Sequence, residues 1–253
     1  MNSSIPGTHP HYSHDFTVRM GEVNREGKVG IAAVCGYLQE VATWHAALLG
    51  FGLRDLIATG RTWMLSHLTV EAYSTLEWNN RFTLQTWPSG TRGSLVATRD
   101  FIGRDAQGHV IIAATSEWLF VDTSAGKIVR LPETLTSRVS PDTPRVALSE
   151  APPPDPKEWP VAHSEKITVR HSDIDVNRHA NNTRYVDWMF EPLTETKGMA
   201  QPNRIEIFYK LGATDTDIVL SAVSREEDGI IRHRLTRESD GATFAVAVSR
   251  WGR

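Results

Sequence analysis

The chain has 253 residues, 40% of them hydrophobic and 23% charged, with a formal net charge of −3. That balance is typical of packed globular chains and excludes disordered and collagen-like classes, while the absence of any run of about five like charges removes a general affinity for nucleic acid or anionic membranes. One cysteine, Cys35, excludes an intrachain disulfide and the usual Cys-based zinc site. A reducing, cytoplasmic setting without metal or organic cofactor is the expectation.

In chain order, residues 1–15 have neither a basic start nor an apolar core, so the sequence predicts a loose tail rather than a secretory signal. No stretch reaches the roughly 18 consecutive apolar residues of a membrane span. Val34, Tyr37, Leu38, Val41, Ala42, His45, Leu48 and Leu49 then recur at spacings of three and four, predicting a helix with one buried face, stopped by Gly50 and Gly52. Strand-like runs follow at Trp63–Tyr73, Arg81–Trp87, Leu95–Arg104 and Val110–Asp122, with turn signals at Pro88-Ser89-Gly90 and Asp105-Ala106-Gln107-Gly108.

Eight of the thirteen prolines lie between Leu131 and Pro160, a stretch that can hardly supply a central strand and is read as a semi-extended linker. Beyond it the pattern repeats. Phe16-Thr17-Val18-Arg19 matches Ile167-Thr168-Val169-Arg170, and Ala114-Thr115-Ser116-Glu117-Trp118 parallels Ala247-Val248-Ser249-Arg250-Trp251. Tyr185, Trp188, Met189, Pro192 and Leu193 give a second helix that Pro192 must kink or end, and strand-like runs follow at Arg204–Leu211, Asp217–Arg225, Ile230–Glu238 and Ala242–Trp251. The fold class is therefore α+β, with each unit reading strand, helix, then antiparallel meander and the two forming a pseudo-dimer. Expected boundaries are a tail at 1–15, units at 16–130 and 163–253, and the linker at 131–162.

The densest polar segment, His171 to Asn182, stands just before the second helix. A helix N-terminus offers unpaired N–H groups and the positive end of the dipole to a developing oxyanion. His179 there could deprotonate water. Asp175 could orient the imidazole or itself act as base or nucleophile, and the Asn177 amide could bind a thioester carbonyl or position the water. The competing reading is a set of turn and cap residues, with Asn181 or Asn182 as N-cap.

Asp-Val-Asn-Arg-His-Ala-Asn-Asn-Thr-Arg-Tyr at 175–185 resembles the DxNxHxNNxxY signature of the acyl-acyl-carrier-protein thioesterases of plants and bacteria. Tyr37–Ala42, Leu49–Leu53, Thr86–Gly90, Arg99–Phe101 and Val129–Pro132 extend the resemblance along nearly the whole chain. It implies a double hotdog, an N-terminal half that holds the acyl chain, a C-terminal half that carries catalysis, and Asp175, Asn177 and His179 as catalytic residues. Its implied substrate is fatty acyl-acyl-carrier protein, hydrolysed to free fatty acid. An acyl-coenzyme A thioesterase or a non-catalytic acyl-binding protein are the alternatives, and a homodimer is open.

Where that family carries a Glu-Cys pair, this chain has Gly212-Ala213, so no Cys–His mechanism operates from that strand; Asp215 is the nearby substitute acid. Cys35 and His45 are expected as core residues. Trp44, Trp63, Trp78, Trp87 and Trp118, with Met64, Leu65 and Phe101, are candidates for the wall of an aliphatic pocket. Arg178, Arg184 and Lys210 are candidates for docking an acidic carrier.

Overall fold

Tyr12, His14 and Phe16 alternate with polar residues and turn from the first strand, β1 (Tyr12–Thr17), onto Tyr37, Trp44 and His45. That period-two burial pulls into the sheet residues that the sequence reading leaves in a loose tail. The structure, a computed structural model, describes residues 10–137, 143–146, 148, 159–194 and 201–252. Pro141, Pro152, Pro153, Pro154 and Pro156 of the expected linker lie outside the described residues.

Helix α1 (Ile31–Leu48) buries the expected stripe from Val34 to His45. Gly50 follows it at φ +79°, a left-handed conformation that costs little only for glycine. A short helix that the sequence does not signal, α2 (Leu53–Ala58), leads to β2 (Arg61–Ala72), β3 (Arg81–Arg92), β4 (Val96–Asp105), β5 (Val110–Asp122), β6 (Lys127–Ile128) and α3 (Glu133–Thr136). Pro88-Ser89-Gly90 is not the expected turn but part of β3. The register shifts there, so Pro88 sits at a bulge where its missing N–H costs little, and Ser89 Oγ donates to buried Asp100 Oδ1 at 2.8 Å.

The second unit repeats the order with β7 (Val161–Thr168), α4 (Asn182–Phe190), β8 (Arg204–Tyr209), β9 (Ile218–Ser224), β10 (Ile230–Arg237) and β11 (Thr243–Arg250). At Pro192, α4 gives way to a 3-10 turn, Glu191–Leu193.

All pairings are antiparallel, in the order β1-β3-β4-β5-β2-β8-β11-β10-β9-β7, with β6 on β5. The strand after each helix therefore does not start a simple meander: β2 pairs with β5, and β8 with β11. Placing β2 and β8 together, with His67 opposite Phe208 and Val70 opposite Ile205, fuses the halves and removes two open edges. α1 and α4 lie side by side on one face, over a shared core that includes Val41, Val70, Phe101, Met189, Ile207 and Phe244. These are two hotdog units joined edge to edge, each a helix wrapped by five antiparallel strands, with the two-residue β6 added to the first.

Unit boundaries are less abrupt than the proline density suggests. Leu131 and Leu135 pack with Leu56 and Phe120, carrying the first unit past residue 130, and β7 already begins at Val161. On the sheet face away from α1, Pro144 O accepts the Trp87 indole N–H at 2.8 Å, while Asp100 Oδ2 accepts the Val146 N–H at 2.7 Å and Arg145 Nε at 3.3 Å. Residues 131–137 and 143–146 of the linker are thus tied to the first unit, while Trp159 lies under Arg234 of the second.

Candidate active site

From β7 the chain passes one 3-10 turn, His171–Asp173, into a narrow hairpin closed by the Ile174–Ala180 bridge. Inside it the Asp175 N–H donates to His179 O at 2.8 Å and the Arg178 N–H to Asp175 O at 3.0 Å. Arg178 takes φ +62°, a conformation that costs a non-glycine residue roughly 1–2 kcal/mol. The Asn177 N–H donates to Asp175 Oδ1 at 2.8 Å, an Asx turn that makes Asp175 the internal brace of the loop. Below it, Ala180 N–H reaches Ala213 O at 2.8 Å. Asn181 is the N-cap of α4, its Oδ1 accepting the Thr183 N–H at 3.0 Å.

The loop gathers the three expected residues on one short arch. Asn177 and His179 are exposed and Asp175 is partly buried. Among the described residues no hydrogen bond joins the Asp175 carboxylate to the His179 imidazole, so Asp175 does not orient that ring. Two contacts from outside the loop hold it instead. Thr62, at the start of β2 in the first unit, donates its hydroxyl to Asn177 Oδ1 at 2.8 Å. The His179 ring lies against Gly212, in space that any side chain at 212 would need.

Gly212 is itself clamped. The Tyr185 hydroxyl donates to Leu211 O at 3.1 Å and accepts the Ala213 N–H at 2.7 Å, bracketing the glycine from α4. The position that reads as a lost acid in the sequence is therefore the seat of the histidine.

Other candidates separate. Asp215 is exposed and has no hydrogen bond to His179 among the described residues. Arg184 is engaged by Asp187 at 3.1 Å and Asp173 at 3.5 Å, whereas Arg178 and Lys210 are exposed beside the loop. Cys35 is buried, and that burial pushes its thiol up to about 12, which removes it as a nucleophile. His45 is fully buried with Nδ1 3.0 Å from Arg99, a core residue. Burial alone lowers the Arg99 guanidinium to about 10.

Of the residues proposed to wall an aliphatic pocket, Leu65, Phe101 and Trp118 border a partly open cavity of about 20 Å³ between α1 and the sheet, next to Asn182 and Thr183. Trp78 and Met64 are exposed, and Trp87 faces the linker.

The first unit contains the same hairpin. Val23 bridges Val29, the Asn24 N–H donates to Lys28 O, the Gly27 N–H donates to Asn24 O, and the Glu26 N–H reaches Asn24 Oδ1 at 2.9 Å. Asn24, Glu26 and Lys28 stand where the second unit has Asp175, Asn177 and His179. Extending the match of Phe16–Arg19 with Ile167–Arg170 at constant offset finds this duplication in the sequence. Thr62 leaves no such signal, because nothing local marks a threonine 115 positions from its partner.

Known proteins share the two-unit plan. The family model described as acyl-ACP thioesterase N-terminal domain matches residues 9–139, and that of the C-terminal domain matches 157–253. The chain is 27% identical over 250 residues to oleoyl-acyl carrier protein thioesterase 2, chloroplastic, of Arabidopsis thaliana, covering 92% of this chain and 68% of that one. It is 27% identical over 266 residues to dodecanoyl-[acyl-carrier-protein] hydrolase, chloroplastic, of Cinnamomum camphora, covering 95% and 67%. Among solved structures, the 12:0-ACP thioesterase from Umbellularia californica superposes with TM-score 0.83 at 19% identity over 96% of this chain and 98% of that one. An acyl-ACP thioesterase from Bacteroides thetaiotaomicron gives 0.81 at 22% identity over 95% and 97%. With both halves matched in order, the chain belongs to the acyl-ACP thioesterases, hydrolases of thioester bonds.

Proposed function

We propose that Asp175, Asn177 and His179 carry the hydrolysis of fatty acyl-acyl-carrier protein to free fatty acid and carrier thiol. The observation that supports these residues most directly is the exposed arch itself. Neither ring nitrogen of His179 and neither hydrogen of Asn177 Nδ2 has a protein partner among the described residues, so both groups are open to substrate and water. His179 takes a proton from water as its oxygen attacks the thioester carbonyl carbon. The Asn177 amide donates to the carbonyl oxygen as it gains charge. The C–S bond then breaks, and the proton held by His179 passes to the departing sulfur. Asp175 holds the loop in shape through Asn177, and its second oxygen is available to water.

The acyl chain enters between α1 and the sheet, where Leu65, Phe101 and Trp118 already border the small cavity beside Asn182. Ligand pockets for molecules of drug size span about 300–1,000 Å³, so those side chains must part to admit a fatty acyl group. Exposed Arg178 and Lys210 beside the loop suit an acidic carrier.

The test is thiol release from long-chain acyl-acyl-carrier protein by the purified chain and by Asp175→Ala, Asn177→Ala and His179→Ala. Each variant is expected to lose about 10²-fold or more in kcat. Near-normal turnover in any of them removes that residue from the assignment. Release by the unaltered chain no faster than by His179→Ala would make it an acyl-binding protein instead. The same acyl chain on coenzyme A measures the choice of carrier.

A further inference from the structure

We infer that Thr62, from the first unit, is a positioning residue for the reaction carried by the second. The inference rests on the assignment of Asn177 as the group that donates to the carbonyl oxygen. A primary amide presents two opposite faces, an oxygen that accepts and a nitrogen that donates. Asn177 is exposed, so packing does not choose between them. Its backbone is fixed by the Asp175 carboxylate, but that contact uses the main-chain N–H and leaves the side chain free to turn over.

Thr62 holds the side chain in one pose. Its hydroxyl donates to Asn177 Oδ1 at 2.8 Å, across the junction of the two units. With the oxygen held, Nδ2 is turned away from Thr62 and keeps both hydrogens unpartnered among the described residues. A substrate carbonyl approaching the arch then meets a donor. Without the hydroxyl the amide is free to present its oxygen instead, and acceptor would face acceptor at the point where negative charge develops.

The position of Thr62 is itself rigid. It is the second residue of β2, opposite Val121 of β5, in the strand that also forms the junction with β8. The first unit therefore contributes a hydrogen bond to the catalytic arch in addition to the proposed acyl cavity. No residue of the second unit replaces it, since Thr62 is the only side-chain partner of the Asn177 amide among the described residues.

The experiment uses the whole chain with long-chain acyl-acyl-carrier protein and measures kcat and KM for Thr62→Val, Thr62→Ser, Asn177→Ala and the double variant Thr62→Val/Asn177→Ala. Valine keeps the shape and β-branching of threonine and removes only the hydroxyl. The expected loss in Thr62→Val is about 3- to 10-fold in kcat with KM little changed, the scale of one net hydrogen bond. Thr62→Ser should recover most of it. In the Asn177→Ala background the valine should have no further effect, because the group that Thr62 orients is gone.

A merely structural threonine would lower thermal stability without separating kcat from KM, and its effect would add to that of Asn177→Ala. Additivity, or a Thr62→Val variant with unaltered kcat alongside a crippled Asn177→Ala, overturns the role of Thr62 and leaves Asn177 in place. Full activity in Asn177→Ala overturns both.

Discussion

Gly212 and His179 share one space: a Cβ on Gly212 would stand 2.4 Å from Cδ2 and 2.8 Å from Cγ of the imidazole, well inside contact distance. Backbone strain is not the reason for a glycine here, because Gly212 is not among the residues with positive φ. The ring is.

Gly212→Ala therefore tests one thing, the seat of the histidine. It is expected to lower kcat by about 10- to 10²-fold, since a displacement of about 1 Å at a reacting group is enough for such a loss. Thermal unfolding supplies the control. Alanine should destabilise the unaltered chain but be neutral or slightly stabilising in a His179→Ala background, where the colliding ring is absent. Equal Tm shifts in both backgrounds would show that the ring does not rest on Gly212.

Tyr185→Phe should act on the same seat from the other side. Removing the hydroxyl strands the Leu211 carbonyl and the buried Ala213 N–H, a cost of about 1–3 kcal/mol. For a chain of this size that corresponds to a fall in Tm of about 2–10 °C. Turnover should fall with it, measurable at a temperature where the variant remains folded. An unchanged Tm would mean that the clamp contributes nothing.

Two buried histidines set opposite flanks of the stability profile. Burial works against charge on His67, but the hydrogen bond to Glu206 at 3.0 Å and the charges of Glu117 and Glu206 outweigh it and raise the imidazole to about 9. Since the unfolded value is about 6.5, the folded chain holds a proton that the unfolded chain has released between those limits. Stability from His67 is thus complete below about pH 6.5 and is lost as pH rises through 9. His233 is the reverse. Burial lowers it to about 4 despite its contact with Met189 O, so its contribution is lost as pH falls from about 6.5 through 4. Denaturant titrations across pH 4–10 should show both limbs, with His67→Gln flattening the alkaline one and His233→Gln the acid one. A variant that leaves its limb unchanged removes that histidine from the account.

Cys35 should resist alkylation by iodoacetamide at pH 7.5 in the native chain and react fully after denaturation, as follows from a buried thiol held up at about 12. Rapid native modification, read by mass spectrometry, would contradict that placement.

Much of the architecture is legible in the residues because it is written in local periodicity. The stripe from Val34 to His45 and the repeated Phe16–Arg19 and Ile167–Arg170 segments report burial on one face, and the structure buries the helix stripe, Val18 and Val169. Asp175, Asn177 and His179 are legible for a related reason: one hairpin holds all three, so chain proximity brings them together. Pro88-Ser89-Gly90 misleads because its composition is that of a turn, while its place in β3 is set by a bulge against β4.

The sequence by itself determined the two-unit α+β plan and the arch that carries the polar residues, since both depend on spacings of a few residues. Only the tertiary structure decided how the units join, through β2 and β8, and what surrounds the arch. Thr62 reaches Asn177 across 115 positions, and Gly212 meets His179 from a different element of the second unit. Such contacts depend on strand register and helix placement across the molecule, which local spacing does not encode. For that reason a glycine that reads as a missing acid in the sequence is, in the folded chain, the surface on which the histidine rests.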